Sequence, residues 1–129
     1  MPKAHKRAHK RDRRAAQRRG LHGEGLAAFW LRLKGYRILA RRLKTRAGEI
    51  DLVAAAPFGP VCFIEVKARG TARSAAESVV PAQQTRIARA AFLYLAGRPG
   101  LARRGSRFDI VAIAPHCLPV HYRDVWRPA

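Results

Sequence analysis

Residues 48–54, GEIDLVA, and 63–69, FIEVKAR, flank a stretch that carries Pro57, Gly59 and Pro60. Nothing else in the chain constrains its fold as tightly. Proline and glycine punctuate turns, and the apolar residues of both runs are rich in the β-branched and aromatic types that strands favour. Strand side chains alternate between faces. Glu49, Asp51 and Val53 are therefore expected on one face of the first run, with Ile50, Leu52 and Ala54 on the other. In the second run Phe63, Glu65, Lys67 and Arg69 share a face. A hairpin centred on Phe58 sets Asp51 across from Glu65, and Glu49 across from Lys67. Directly opposed Cβ atoms lie about 4.5–5.5 Å apart, and opposed like charges repel unless a cation lies between them.

That arrangement asks for a metal. Oxygen-only donors select a hard ion, Mg²⁺ or Mn²⁺, which keeps several waters and readily binds phosphate oxygens. Lys67 can orient a water or stabilise charge developing on phosphorus. Metal-assisted phosphodiester hydrolysis needs those parts. The competing reading is a salt-bridged cluster without chemistry. Glu49 reads more simply as a solvated partner of Lys67 than as a ligand, and Asp109, two residues from Arg107, as half of a structural ion pair. Glu24, in the first turn of an expected helix, is placed to complement the helix dipole.

Charge points to the partner. The chain has 27 Lys and Arg against 8 Asp and Glu, a formal charge of +19, which implies a polyanion. Nucleic acid comes first and an anionic membrane surface second. Residues 1–20 hold nine of those bases and one acid, Asp12. Without them the rest still has 18 bases and 7 acids, so the basic character extends beyond the tail. Residues 1–22 are expected to form a disordered basic arm, with 23–129 as a single domain. The arm lacks the apolar core of a secretory signal, and no run is long enough to span a bilayer. Cys62 and Cys117 read as buried thiols in a reducing compartment, and His116, Cys117 and His121 lack zinc-site spacing. A cytoplasmic protein with no membrane partner is expected.

From Gly23 the apolar residues Leu26, Trp30 and Leu33 recur at helical spacing until Gly35, placed as a C′ glycine. A short strand is expected over 36–40, a basic connection over 41–47 and a loop over 70–79. Pro81 is suited to open a helix, whose face Ile87, Ala91 and Leu95 continue until Gly97 and Pro99. Residues 107–114 read as a core strand and 120–125 as an edge strand. The order α-β-β-β-α-β-β describes an α/β protein with a small mixed sheet flanked by helices.

The pattern of Asp51, Glu65 and Lys67, D-x13-E-x-K, resembles the active site of the PD-(D/E)xK nucleases, a superfamily with a restriction-endonuclease-like core. The chain is similar more closely to the YraN family of bacterial, resolvase-like proteins. The likeness runs through KGYRILARR (34–42), GEIDLVA, FIEVKAR, RIARAA (86–91), RFDIVAI (107–113) and DVW (124–126). It covers nearly everything from residue 23 onward. The resemblance implies Asp51 and Glu65 as metal ligands, Lys67 as the catalytic lysine, Glu24 as a further acid near the metal, and Gln83 as a catalytic-site residue where relatives carry Lys or Gln. Two positions depart from it. Ile50 replaces the proline of the superfamily's name, and Arg42 stands where relatives often have Asn.

The function expected is that of a Mg²⁺- or Mn²⁺-dependent nuclease acting on DNA, including branched or otherwise structured DNA. The alternative is a non-catalytic nucleic-acid-binding protein, for DNA or RNA, that retains the fold. DNA is expected ahead of RNA, and a homodimer is left open. Bases at 41–46, at 103–107 and in the arm would hold phosphates.

Overall fold

The computed structural model describes residues 23–68 and 78–128. The basic arm and most of the expected 70–79 loop lie outside the described residues. Residues 23–33 form helix α1. Strands β1 (Arg37–Thr45), β2 (Gly48–Ala55) and β3 (Val61–Ala68) follow, then helices α2 (Pro81–Ala96) and α3 (Pro99–Ala102), then strands β4 (Ser106–Ile113) and β5 (Val120–Trp126). The five strands form one sheet in chain order. All neighbours are antiparallel except β3 and β4, which run parallel around the α2–α3 connection. This is the expected small mixed sheet flanked by helices.

Each face of the sheet carries its own core. On one, Phe63, Val61, Val53, Ile110 and Phe108 meet Ile87, Ala90, Ala91 and Tyr94 of α2. An aromatic run extends this core to the sheet edge, where the Phe108 ring stacks on Trp126 at 4.2 Å between centroids. On the other, Leu52, Ala54, Cys62, Ile64 and Val111 meet Ala27, Ala28 and Leu31 of α1. The buried face of α1 is small, with two of these three residues alanine. Gly35 ends α1 at φ 86, and the Tyr36 N–H bonds back to the Leu31 carbonyl at 3.0 Å. Glycine adopts that conformation at little cost.

The β2–β3 hairpin has the expected register, with Leu52 opposite Ile64 and Ala55 opposite Val61 about Phe58. Two expectations fail around it. The basic connection over 41–47 is largely strand, because β1 continues to Thr45 and pairs with β2 through Lys44 and Glu49. At a sheet edge, arginines and lysines coexist with strand pairing and guard against unwanted partners. The second failure is the alternation of β2. Ile50 packs in the α2-side core, while Leu52 and Ala54 pack with α1. The strand changes face at Asp51.

Arg42 has φ 53, in the left-handed region. Asn enters that region more readily than Arg, so Arg42 holds a backbone conformation that is uncommon for its type. Cys62 is buried as expected, but Cys117 is exposed, because it follows a turn outside β4.

Beneath α1, Asp109 forms a buried polar hub. Its carboxylate accepts from Arg107 Nε at 2.9 Å and Nη2 at 2.8 Å, from His121 Nε2 at 2.8 Å and from the Asp124 N–H at 2.9 Å. Arg107 also donates to the Tyr36 hydroxyl at 2.8 Å. The expected Arg107–Asp109 pair is thus present and joins β4 to β5 and to the end of α1. Burial alone would raise the Asp109 pKa, but the bonds from His121, Arg107 and Asp124 hold it down at about 2.

A group whose folded pKa lies below its ordinary value of 3.8 adds stability above that value and loses it as pH falls through the folded pKa. The shift corresponds to about 2 kcal/mol. Asp109→Ala should cost more, about 3–5 kcal/mol at pH 7, because the Arg107 charge is left without its counterion. Urea unfolding of the parent and the variant measures this. A loss below about 1 kcal/mol would show that the hub is dispensable.

Candidate metal-binding acidic site

The acidic site forms where the β2–β3 ladder ends. Past the Leu52–Ile64 pair, Asp51 Oδ2 accepts the Val66 main-chain N–H at 2.8 Å. A side chain thereby takes a donor that a sheet would give to a neighbouring carbonyl, and the carboxylate is fixed against β3. Burial raises the Asp51 pKa; the Val66 bond and Lys67 lower it, and Glu49 pushes it up.

Glu65 is buried, only 9% exposed. Lys67 Nζ lies 3.8 Å from its Oε2. From the first turn of α2, Gln83 Nε2 donates to the same oxygen at 3.3 Å. Pro81 opens that helix and Ile87 anchors it in the core, which aims Gln83 at the sheet. Burial, then the charge on Asp51, push the Glu65 pKa up to about 7, against the pull of Lys67. A site of this kind gains from a cation, which replaces a proton as the compensating charge.

Glu24 is buried too, but its carboxylate faces two arginines of β1, with Arg41 Nε at 3.2 Å and Arg42 Nε at 3.8 Å. Consecutive strand residues ordinarily point to opposite faces. Both reach Glu24 beside the positive φ of Arg42. Burial raises the Glu24 pKa, the arginines lower it, and the charge on Asp51 raises it. Glu24 thus stands within the field of Asp51 while paired elsewhere, and the solvent-facing dipole role does not describe it.

The structure therefore brings Asp51, Glu65, Lys67 and Gln83 together and places Glu24 nearby in its own ion pair. Among the described residues no three His, Cys, Asp or Glu side chains gather in a ready-made metal cluster. Asp51 and Glu65 are the two carboxylates here that could hold a metal, and oxygen donors of that kind suit a hard ion that keeps much of its water. Two features escaped the sequence reading. The Arg41–Glu24 pair joins residues 17 apart with no periodic signal, and His121 in the Asp109 hub read only as part of a loose His/Cys group. Two grooves of 640 and 810 Å³ run along α2 past Phe92 and Pro128, and neither is lined by Glu24, Asp51 or Glu65. Charge, not cavity size, marks this site. No helix among the described residues is long and apolar enough to cross a membrane.

Fold and site define a mixed α/β protein that gathers scarce carboxylates at one split in its sheet. The family model described as "Uncharacterised protein family UPF0102" matches residues 23–113. The chain is 55% identical over 121 residues to a UPF0102 protein of Paramagnetospirillum magneticum, covering 91% of this chain and 93% of that one. It is 52% identical over 114 residues to one of Parvibaculum lavamentivorans, covering 88% and 85%. A third, of Rhizobium etli, is 50% identical over 114 residues, covering 88% and 93%. The chain belongs to the UPF0102 family. The matched span includes Glu24, Asp51, Glu65, Lys67, Gln83 and Asp109, and ends before His121.

The raised Glu65 pKa carries a sign that stability can test. With a folded pKa of about 7 against an ordinary 4.5, the folded protein holds this proton more tightly than the unfolded chain. Stability contributed by the protonated form is complete below pH 4.5 and lost as pH rises through 7. The ionised side chain then costs about 3 kcal/mol. Without metal, Glu65→Gln should therefore unfold at higher urea than the parent at about pH 8 and match it at about pH 4. Equal midpoints at both pH values would contradict the assignment.

Proposed function

We propose that this protein is a divalent-metal-dependent nuclease that hydrolyses phosphodiester bonds in DNA, branched or structured DNA included. It would then be a member of the PD-(D/E)xK superfamily, with Mg²⁺ or Mn²⁺ as cofactor. One observation carries the proposal. A protein of charge +19 buries Glu65 beside Asp51 and Lys67, with its pKa raised by burial and by the Asp51 charge. A phosphate binder alone has no use for acids aimed at a polyanion; a hydrolase does.

Asp51 and Glu65 would hold the ion, with Val66 fixing the Asp51 carboxylate and Gln83 and Lys67 facing that of Glu65. When bound, the ion would polarise the scissile phosphate and ease deprotonation of water. Lys67 sets its positive charge where negative charge grows on the phosphoryl oxygens. Gln83 steadies Glu65, so its part is positioning. Arg41 and Arg42, each about half-exposed, would meet phosphates beside the cut. Arg104 is engaged with the Ala56 and Gly59 carbonyls, and Arg107 with Asp109, so the 103–107 segment offers fewer phosphate contacts than its sequence suggests.

The pairing of Glu24 with Arg41 and Arg42 favours the second reading, a binding protein that retains the fold without turnover. Cleavage assays on linear and branched DNA and on structured RNA, with Mg²⁺ and with Mn²⁺, decide between them. Glu65→Ala should abolish metal-dependent cleavage while metal-free affinity stays equal or tightens, since a carboxylate repels a neighbouring phosphate. Lys67→Ala should also cut turnover but weaken binding slightly. A Glu65→Ala protein that cleaves as fast as the parent would sink the nuclease reading. A parent that cleaves none of the substrates would leave the binding protein.

A further inference from the structure

On the face of the sheet opposite α2, three side chains stand in a line that the nuclease reading does not use. Lys34, in the turn after α1, places Nζ 2.9 Å from His121 Nδ1 on β5. The other ring nitrogen, Nε2, lies 2.8 Å from Asp109 Oδ2 on β4. Asp109 and the His121 side chain are almost wholly buried, whereas Lys34 is half-buried with a path to solvent. Asp109 is an ionised acceptor fixed by Arg107 and the Asp124 N–H. An acceptor at Nε2 sets the tautomer: the proton sits on Nε2 and the Nδ1 lone pair faces the amine. A base within hydrogen-bond reach of a nucleophile, oriented by a third group, is the arrangement that activates side chains for attack.

We propose that Lys34 is a nucleophilic amine and a site of covalent acylation by small anionic acyl phosphates, with His121 as its base and Asp109 as the residue that positions His121. The Lys34 pKa is lowered, by burial first and then by the charges of Arg123 and Arg107, against the pull of Asp109. More of the free amine is therefore present at neutral pH. Exposed Arg123 and the overall positive charge draw an anionic donor.

In the step itself, the Lys34 ammonium passes a proton to Nδ1. The freed nitrogen lone pair attacks the acyl carbon, forming a C–N bond as the C–O bond to phosphate breaks. Phosphate leaves with the bonding electrons and takes up the proton that the amine nitrogen sheds. His121 returns its proton to water. The product is a neutral amide in place of a cation, so acylation removes one charge from the surface and weakens the tie between α1 and the Asp109 hub.

Accessibility alone predicts the opposite ranking, since Lys44 is exposed and Lys34 is not. That makes the test simple. The full chain is incubated with acetyl phosphate at about pH 7.5, and acetylation at each lysine is followed by peptide mass spectrometry. Lys34 should react faster than Lys44, because burial and the neighbouring arginines leave more of it as the free amine and His121 stands within reach as its base. His121→Gln should bring Lys34 to the Lys44 rate or below while leaving Lys44 unchanged. Lys44 reacting as fast as Lys34 in the unaltered protein would overturn the proposal, whatever the variant's stability. So would an unchanged Lys34 rate in a folded His121→Gln protein.

Discussion

The 2.8 Å bond from the Val66 N–H to Asp51 Oδ2 is the constraint on which the acidic site depends. It takes the place of a main-chain ladder bond at the point where β2 and β3 part. The main-chain donor is satisfied, so the strands can separate without an unpaired buried amide, which would be costly. Asp51 is held against β3, where its charge acts on Glu65. The same point is where β2 changes face, with Ile50 in one core and Leu52 in the other. The hairpin ladder sets the register as far as Leu52 and Ile64; beyond that pair the Asp51 side chain ties the two strands together.

Glu65 and Asp109 are both buried carboxylates, and they are pushed in opposite directions. Asp109 collects bonds from Arg107, His121 and the Asp124 main chain, and its pKa falls to about 2. Glu65 has one amide donor and a lysine at 3.8 Å, with Asp51 as an unfavourable neighbour, and its pKa rises to about 7. Burial is common to both; the supply of donors differs. One acid is finished as a structural element and the other is left with a demand for positive charge. A site built for a cation has that second character, and a structural ion pair has the first.

Much of this could be read in the sequence. Turn residues 57–60 and the paired apolar runs defined a hairpin about Phe58, since a two-residue period admits few registers. Gly35 and Pro81 marked helix ends through backbone chemistry that only those residues supply so cheaply. The acids stood out because so few compete with 27 bases. The strand character of 41–45 was hidden, because an edge strand needs little apolar surface and its arginines resemble a loop. The face change at Asp51 was hidden for another reason. Strict alternation assumes an unbroken ladder, and here a side chain breaks it. Pairs such as Arg41–Glu24 and His121–Asp109 arise from tertiary geometry and leave no local pattern.

The central claim is that Asp51 and Glu65 together hold one divalent cation. Calorimetric titration of Mn²⁺ into the metal-free full chain at about pH 7.5 tests it most directly, with no assumption about substrate. The account predicts a single ion bound by the parent, and loss of that binding in both Asp51→Ala and Glu65→Ala proteins that remain folded. Parent and variants binding Mn²⁺ alike, or a parent that binds none, would contradict it.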